Sequence, residues 1–288
     1  MPPLITITTD FGLNDPFVGI MKGIILNIEP KANIIDITHN IEPHNILHGA
    51  MVLKATYPWY PRKTIHIVVV DPDVGIKKSN TKKKNFSSKE NKPALINGGL
   101  RPTGKKPILI QSQFQTFIGP DNGVLTSALG PKSKVYELKN QKYFLKSISN
   151  TFHGRDLFAP VAAWIASGVS PSKMGPRFLK PTQLNISEAK HKNQRIEGKI
   201  IYIDHFGNAT TNISSGLIEE ACSSFDKIEI CVGGKKLFGL VTGYYQVSLN
   251  QPGAILNSWG QLEIFCRENS AKNNLKLKIG QSVTLREK

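Results

Sequence analysis

The sequence is poor in cysteine and contains no long apolar run. Its three cysteines, Cys222, Cys231 and Cys266, lack the paired spacing of a zinc site or a disulfide framework, so we expect small buried apolar residues. No apolar run approaches the roughly 20 residues of a bilayer-spanning helix. The chain begins with "MPPLITITTDFG" rather than with a basic and then apolar leader. We therefore expect a cytoplasmic protein without a membrane segment.

Acidic residues are also scarce, and the excess of basic over acidic residues is concentrated in one segment. The chain has 37 Lys and Arg against 21 Asp and Glu, a formal net charge of +16. Residues 76–106 alone hold nine lysines and Arg101 against one acid, Glu90. A segment with so few apolar residues cannot bury much surface, so we expect it to form a basic surface loop. Because Phe86 is its only aromatic residue, the segment lacks the stacking residues of a single-strand binder, and no nucleic-acid partner is expected.

The order of apolar patterns predicts an α/β N-terminal domain with a mainly parallel sheet. Strands are predicted at "LITITT", "NIIDITH" and "TIHIVVVD", with helices at "PFVGIMKGIILNIEP" and "HNILHGAMVLKATYPWY" between them. This alternation favours a sheet covered by helices on both faces. The patterns that follow predict a strand pair at "KPILIQ" and "QTFIGPDNG", a short helix at "GVLTSALG" and a longer helix at 154–168.

From Gly198 onward the sequence changes to short strands separated by turn residues. Such a pattern is typical of a small antiparallel β-barrel or sandwich. A proline-containing segment without periodicity, 169–185, precedes this region. We therefore expect an α/β domain at 1–190, with the basic loop 76–106 inserted in it, and a smaller antiparallel β-barrel domain at 191–288.

Polar side chains collect where the predicted strands end. In open parallel sheets, ligands bind outside the carboxyl ends of the strands. The residues at these ends are Asp10, Asp36, His39, Asp71, Asp73, Asp121 and Asn122, and His153 precedes the helix predicted at 154–168. Like charges on one rim cost free energy unless a cation or a hydroxyl-rich ligand meets them. The set as a whole therefore indicates a binding site.

Three chemistries are compatible with a rim of carboxylates and a histidine. A metal hydrolase would use the aspartates and His39 or His153 as ligands, although no short two-histidine spacing supports it. A nucleotide-phosphate enzyme would need a glycine-rich cradle, and neither "GxxxxGK" nor "GxGxxG" occurs. A cationic or ribose-bearing ligand held by carboxylates would need neither. The residues alone leave this choice open.

Seven motifs, in this order, resemble those of the S-adenosylmethionine (SAM) hydrolases, the family related to the fluorinase and chlorinase enzymes. They are "TTDFGLNDPFVGIMKGII", "IIDITHNIEPHNI", "VVVDPDVG", "FIGPDNGVLT", "NTFHGRDLFAPVAA", "IDHFGNATTNI" and "NSWGQLEI". The resemblance covers nearly the whole chain apart from the lysine-rich loop. It implies an α/β domain followed by a β-barrel domain, a homotrimer with the ligand between subunits, and an enzyme that needs no metal or cofactor.

The reaction that the resemblance implies is attack of water or hydroxide on the ribose 5′ carbon of SAM, giving adenosine and L-methionine. Because the sulfonium leaves as a neutral thioether, the reaction requires an oriented water rather than a general acid. The family orients this water with an Asp, Arg and His set, of which Asp71 and His153 match two members. Asp10 matches the ribose-binding aspartate of the family. Asp15, Asp204 and Ser258 match the methionine side, and Phe206 and Asn208 match the adenine side.

The halogenase branch differs from this chain at three positions. Halogenases tend to have tyrosine where Asp71 stands, asparagine where Asp121 stands, and a serine-containing motif in place of "HG" at 153–154. All three positions agree with hydrolysis. A carboxylate at position 71 would also repel a halide and favour a polarised water.

The chain departs from the family pattern at two positions. Asp73 replaces a glycine of the usual "DPGVG", which would place a second carboxylate beside Asp71. The family arginine is replaced by lysine, namely Lys78 by distance from Asp71, or Lys105 or Lys106 by position before the next strand. Lysine cannot reproduce a bidentate guanidinium. An alternative function is therefore a protein that binds adenosine or SAM with lost or altered turnover.

Overall fold

The computed structural model describes residues 2–71, 95–96, 99–100, 105–184 and 188–288. The interpretations that concern Asp73, Lys78 and most of the basic segment lie outside the described residues. The chain separates into two compact units, Met1–Leu184 and Asn185–Lys288. No helix in the described part of the chain is both long and apolar enough to cross a membrane.

The first unit contains a six-stranded sheet in the order β2-β1-β3-β7-β6-β8. Its strands are β1 (Leu4–Thr9), β2 (Asn33–Thr38), β3 (Ile65–Val69), β6 (Pro107–Gln111), β7 (Thr116–Pro120) and β8 (Lys134–Glu137), while β4 (Leu95–Ile96) and β5 (Gly99–Leu100) form a separate pair. The first four strands of the sheet order are parallel, and β6 pairs antiparallel with both β7 and β8. The prediction of a mainly parallel sheet is confirmed.

Helices α1 (Phe17–Ile28), α2 (Ile46–Thr56) and α3 (Ala159–Ala166) belong to this unit. The position of β3 inside the sheet explains why the sequence of this strand is apolar without alternation. Ile67 and Val69 belong to the same core cluster as residues of α1 and α3, whereas Val68 shares a cluster with Leu53 of α2. Both faces of the strand are therefore covered, as expected for a parallel sheet.

The helix predicted at 154–168 begins as a turn of π-helix, Gly154–Phe158, and continues as α3. Pro160 lies in the first turn of α3 and has no N–H to donate to the carbonyl four residues earlier, that of Asp156. The backbone N–H of Leu145 donates to this Asp156 carbonyl at 3.0 Å instead. The short helix predicted at "GVLTSALG" is a single 3₁₀ turn, Thr126–Ala128, because Gly130 and Pro131 follow at once.

The second unit is an antiparallel sheet in the order β13-β12-β16-β10-β11-β15-β14, with β9 paired to β10. Its elements are β9 (Lys190–Lys192), β10 (Arg195–Ile203), β11 (Ala209–Ser214), β12 (Ile228–Val232), β13 (Lys235–Phe238), β14 (Pro252–Leu256), β15 (Gln261–Cys266), β16 (Ser282–Glu287), α4 (Ser215–Ala221) and α5 (Ala271–Asn274). A bridge between Val241 and Ile255 brings the two ends of the sheet together. The predicted barrel is therefore confirmed as a nearly closed sheet. Cys266 is buried, whereas Cys222 and Cys231 are only half-buried, so the expectation of three buried cysteines is wrong for two of them.

A buried histidine on β3 links the stability of the first unit to pH. The Nδ1 atom of His66 lies 2.7 Å from Thr6 Oγ1, and the ring stacks on Phe117 at 5.0 Å. Burial lowers the pKa of His66 from 6.5 to about 4, although Gln115 opposes the shift. The folded chain thus keeps this ring neutral between pH 6.5 and 4, where the unfolded chain binds a proton.

We expect the free energy of unfolding to fall as the pH decreases from 6.5 to 4, with up to about 3 kcal/mol of the loss caused by His66. A His66→Gln variant should be less stable at neutral pH, but its stability should depend less on pH across this window. Urea unfolding at a series of pH values measures both curves. The exposed His191, changed to glutamine, is the control and should leave the curve unchanged. Parallel curves for wild type and His66→Gln would contradict the assignment.

Candidate active site

The carboxyl ends of β1 and β3 border a cavity of about 280 Å³. Because these two strands are parallel neighbours, the residues that follow them meet at one edge of the sheet. Asp10 follows β1 and Asp71 follows β3, and both line the cavity. His153, which comes just before the π-helical turn, lines it as well. The structure therefore brings together three of the residues predicted from the sequence.

One wall of the cavity is aromatic. Phe11, Phe17 and Phe152 line it, and their rings contact one another edge to face with centroids 5.2 to 6.0 Å apart. Phe11 and Phe17 belong to the first of the seven motifs and Phe152 to the fifth, but local patterns do not indicate that the rings of two separate segments meet. Such a wall excludes water from one side of the cavity and strengthens electrostatic interactions inside it.

Asp10 connects two loops that border the cavity. It is half-buried, and its Oδ2 atom accepts a hydrogen bond of 2.9 Å from the backbone N–H of His44. His44 and Pro43 line the same cavity. The carboxylate is thus held in place by the loop that follows β2.

His153 is poised as a proton acceptor. Its side chain is buried, and among the described residues its Nε2 atom has no hydrogen-bond partner. Burial lowers the pKa of His153, and the negative charge of Asp156 only partly opposes this shift. A lowered pKa favours the neutral imidazole, a form that can accept a proton at one of its ring nitrogens.

An ion pair between the half-exposed Arg155 and the buried Asp156 holds the loop that precedes His153. Asp156 has no exposed surface, and its Oδ2 atom accepts a hydrogen bond of 2.7 Å from the backbone N–H of Ser149. Arg155 Nε donates to the other oxygen, Oδ1, at 2.6 Å. The Asp156 carboxylate therefore connects the start of the helix to the loop that carries Thr151 and Phe152 into the cavity wall.

The remaining strand ends do not contribute to this cavity. Asp121 Oδ1 accepts the backbone N–H of Thr182 at 2.6 Å, and Asn122 Nδ2 donates to the carbonyl of Val70 at 2.6 Å. Asp36 contacts Lys22 and His39. The expectation of a single rim shared by all four strand ends is therefore wrong, since two of the ends make structural contacts within the unit.

Three other predicted residues lie away from the cavity lining. Asp15 is exposed and does not line it. Lys106 Nζ lies 3.4 Å from Glu137 Oε2 and 4.9 Å from the centre of the Phe178 ring. Lys105 does not line the cavity either. Within the described ranges, no group of three or more His, Cys, Asp or Glu residues is arranged to hold a metal ion.

In the second unit, Asp204, Phe206 and Asn208 occupy one tight turn between β10 and β11. Asp204 Oδ1 accepts the backbone N–H of Asn208 at 2.8 Å, and Asn208 Nδ2 donates to Asp204 Oδ2 at 3.2 Å. Gly207 has a φ of +86°, and a Cβ atom there would lie 2.0 Å from Ser270 Oγ, so only glycine fits. The turn leaves the Phe206 ring 74% exposed.

Ser258 lies on a different turn, the one that joins β14 to β15, and it is exposed. Its neighbour Trp259 packs against Tyr202 of β10 with ring centroids 5.3 Å apart. The structure therefore does not place Ser258 on the Asp204 turn.

The second unit contains a buried acid, Glu263, that is not among the residues predicted from the sequence. Glu263 accepts hydrogen bonds from the Tyr244 hydroxyl at 2.9 Å and from Asn257 Nδ2 at 3.2 Å. Burial raises the pKa of Glu263 despite these bonds, and the negative charge of Asp204 adds to the rise. Burial, the hydrogen bond to Glu263 and nearby negative charge raise the pKa of Tyr244 to about 12. Tyr244 and Asn257 lie 19 and 6 residues before Glu263, and neither spacing matches a recognised motif.

Comparison with known proteins gives matches over most of the chain. Residues 5–83 and 94–175 match the SAM hydroxide adenosyltransferase N-terminal domain, and residues 198–284 match the corresponding C-terminal domain. A Methanocaldococcus jannaschii protein named (R)-S-adenosyl-L-methionine hydrolase is 34% identical over 91% of this chain and 87% of its own length. A Salinispora tropica protein of the same name is 32% identical over 75% of this chain and 74% of its own.

More distant and structural relatives agree with these matches. A fluorinase from Actinoplanes sp. is 25% identical over 98% of this chain and 97% of its own. A crystal structure of an uncharacterized conserved protein from Thermotoga maritima has a TM-score of 0.83 and 31% identity, and the match covers 98% of this chain and 100% of that one. The chain therefore belongs to the SAM hydroxide adenosyltransferase family.

Proposed function

We propose that the protein hydrolyses SAM to adenosine and L-methionine by attack of water on the ribose 5′ carbon. The observation that carries this proposal is that Asp10, Asp71 and His153 line a single cavity with an aromatic wall. Relatives named (R)-S-adenosyl-L-methionine hydrolase, 32–34% identical, support the same reaction.

Asp71 and His153 orient and polarise the attacking water. As the oxygen–carbon bond forms and the carbon–sulfur bond breaks, the electron pair of the broken bond goes to sulfur, and methionine leaves as a neutral thioether. The water loses one proton in the process. A neutral His153 with a free nitrogen, or the Asp71 carboxylate, is suited to accept that proton.

The aromatic wall assists the same step. Its three phenylalanines keep water from one side of the cavity, so that the interactions of Asp10 and Asp71 with the reacting groups are stronger than they would be in bulk water. Asp10, fixed by the His44 N–H, accepts a hydrogen bond from a ribose hydroxyl. This contact holds the ribose so that its 5′ carbon lies beside the attacking water.

The other parts of the proposal rest on the resemblance to the family. Asp15, Asp204 and Ser258 bind the methionine part, Phe206 and Asn208 contact adenine, and Lys78 completes the water-binding set. The chain works as a cytoplasmic homotrimer with the site between subunits and with domains at 1–190 and 191–288. The reaction uses SAM as substrate and needs no metal or other cofactor.

Incubation of the purified protein with SAM in ¹⁸O-labelled water tests the reaction. We expect adenosine and methionine in equal amounts, with ¹⁸O in the 5′ hydroxyl of adenosine, because water attacks that carbon. Chromatography with mass detection measures both. A control with chloride at high concentration should give no 5′-chlorinated nucleoside. Absence of adenosine from well-folded protein, with and without added divalent metals, would contradict the proposal.

A second candidate is a protein that binds adenosine or SAM without turnover. The observation that favours it is the position of Lys106, a candidate for the role of the family arginine, which contacts Glu137 and does not line the cavity. Calorimetry separates the two candidates. Tight binding of adenosine or SAM by a protein that forms no product would support this one.

A further inference from the structure

The strand end after β2 holds a buried histidine that the proposed reaction does not use. His39 is 3% exposed, and its Nδ1 atom lies 2.9 Å from Thr9 Oγ1. Thr9 is the last residue of β1 and is fully buried. On the other side of the ring, His39 Nε2 lies 3.1 Å from Asp36 Oδ1.

The contacts form a continuous chain from the Phe11 amide through Thr9 and His39 to Asp36. The backbone N–H of Phe11 donates to Thr9 Oγ1 at 3.2 Å, and the same hydroxyl is hydrogen-bonded to His39 Nδ1. Asp36 faces the opposite nitrogen and favours a proton there. Burial alone would raise the pKa of Asp36, but the hydrogen bond from Lys22 and the nearby His39 ring hold it below its ordinary value, so this end of the chain is negatively charged.

The backbone reinforces the connection between the two loops. The N–H of Gly12 donates to the carbonyl of His39 at 2.8 Å, and the N–H of His44 donates to Asp10 Oδ2 at 2.9 Å. His39 thus lies where the loop after β1 and the loop after β2 are joined. Asp10 and Phe11, which line the cavity, are on the first loop, and His44 is on the second.

We propose that His39 is a positioning residue, which acts through Thr9 to fix the backbone of Asp10 and Phe11. The Asp10 carboxylate is thereby held where it can accept a hydrogen bond from a ribose hydroxyl. The functional part of this inference rests on the proposed SAM hydrolysis, whereas the structural part does not. Asp36 and Lys22 lie outside the cavity and hold the orientation of the imidazole ring.

The substitution Thr9→Val tests the chain with little change of volume. It removes the hydroxyl that joins His39 to the Phe11 amide, while Thr9→Ser keeps that hydroxyl. The control Thr38→Val removes a bond of the same type, from the Asn40 N–H to a threonine hydroxyl, in the neighbouring turn. His39→Phe is a second variant in which both nitrogens are lost.

Two measurements are made on each variant. Amide hydrogen exchange in the ligand-free protein, resolved to Phe11, should be about tenfold faster in Thr9→Val and His39→Phe, and unchanged in Thr9→Ser and Thr38→Val. Calorimetry with adenosine should show about tenfold weaker binding in the same two variants. The KM for SAM should rise by more than kcat falls, because Asp71 and His153 are held by other elements.

The outcomes separate this inference from the proposed function. Unchanged Phe11 exchange in His39→Phe would overturn the positioning role of His39, whatever the enzyme does and whatever Thr9→Val shows. Faster exchange with unchanged adenosine affinity would overturn its functional part. If wild type neither binds adenosine nor turns over SAM, the proposed function fails, and the exchange rates still decide whether His39 fixes the loop.

Discussion

Replacement of Asp71 by asparagine should lower the rate of adenosine formation by about 100-fold or more. The side chain keeps its size but loses the charge that orients and polarises the water, and positioned acid–base groups contribute roughly 10²–10⁴ to rates. The loss should appear mainly in kcat, since the ribose contact of Asp10 is unaffected. Initial rates over a range of SAM concentrations measure it. Asp226→Asn, at an exposed position of the second unit, is the control and should retain wild-type activity.

The double variant makes this prediction more specific. If Asp71 and His153 act on one water, a His153→Gln variant should be similarly impaired, and the combination should lose far less than the product of the two single effects. Fully multiplicative losses would show that the two side chains act on separate steps. Wild-type kcat in Asp71→Asn would contradict a role for this carboxylate in turnover.

Replacement of Asp156 by alanine should have the largest effect on stability, a loss of about 3 kcal/mol. The substitution removes a fully buried carboxylate and leaves the half-buried N–H of Ser149 and the Arg155 guanidinium without their acceptor. Urea unfolding followed by circular dichroism measures the loss. Asp156→Asn keeps an oxygen for one of these donors and should lose less.

The control for this prediction is an exposed ion pair in the same unit. Lys22 and Asp36 form one with side chains about one-third exposed, and Lys22→Gln should lose less than about 1 kcal/mol. An Asp156→Ala variant that is no less stable than Lys22→Gln would contradict the assignment. Activity offers a second test, because the loop held by Asp156 precedes His153, and kcat should fall even where the protein stays folded.

The sequence predicted those parts of the site that depend on strand order. Asp10 and Asp71 follow parallel strands that are neighbours, so the topology alone brings them together. The apolar run of β3 required cover on both faces, and α1, α2 and α3 supply it. These features follow from local patterns and general rules of sheet connection.

Features that depend on side-chain partners could not be predicted in this way. Asp121 resembles a rim carboxylate in sequence, but its partner is the amide of Thr182, which lies 61 residues away. Lys106 precedes β6, and the register of β6 against β8 pairs Ile108 with Glu137, which determines where the lysine binds. Neither of these partners, Thr182 or Glu137, can be predicted from the spacing of residues along the sequence. The predictions for Asp73 and Lys78 lie outside the described residues and stay predictions.

The packing of Trp259 on Tyr202 has a practical consequence. Trp259 is the single tryptophan of residues 185–288, and it stands next to Ser258, one of the residues assigned to methionine. Of the other two tryptophans, Trp59 is 83% exposed and Trp164 packs on Tyr143 inside the first unit. With phenylalanine at positions 59 and 164, the protein would carry one intrinsic fluorophore beside the turn where methionine is proposed to bind, so its emission could follow ligand arrival without any added label.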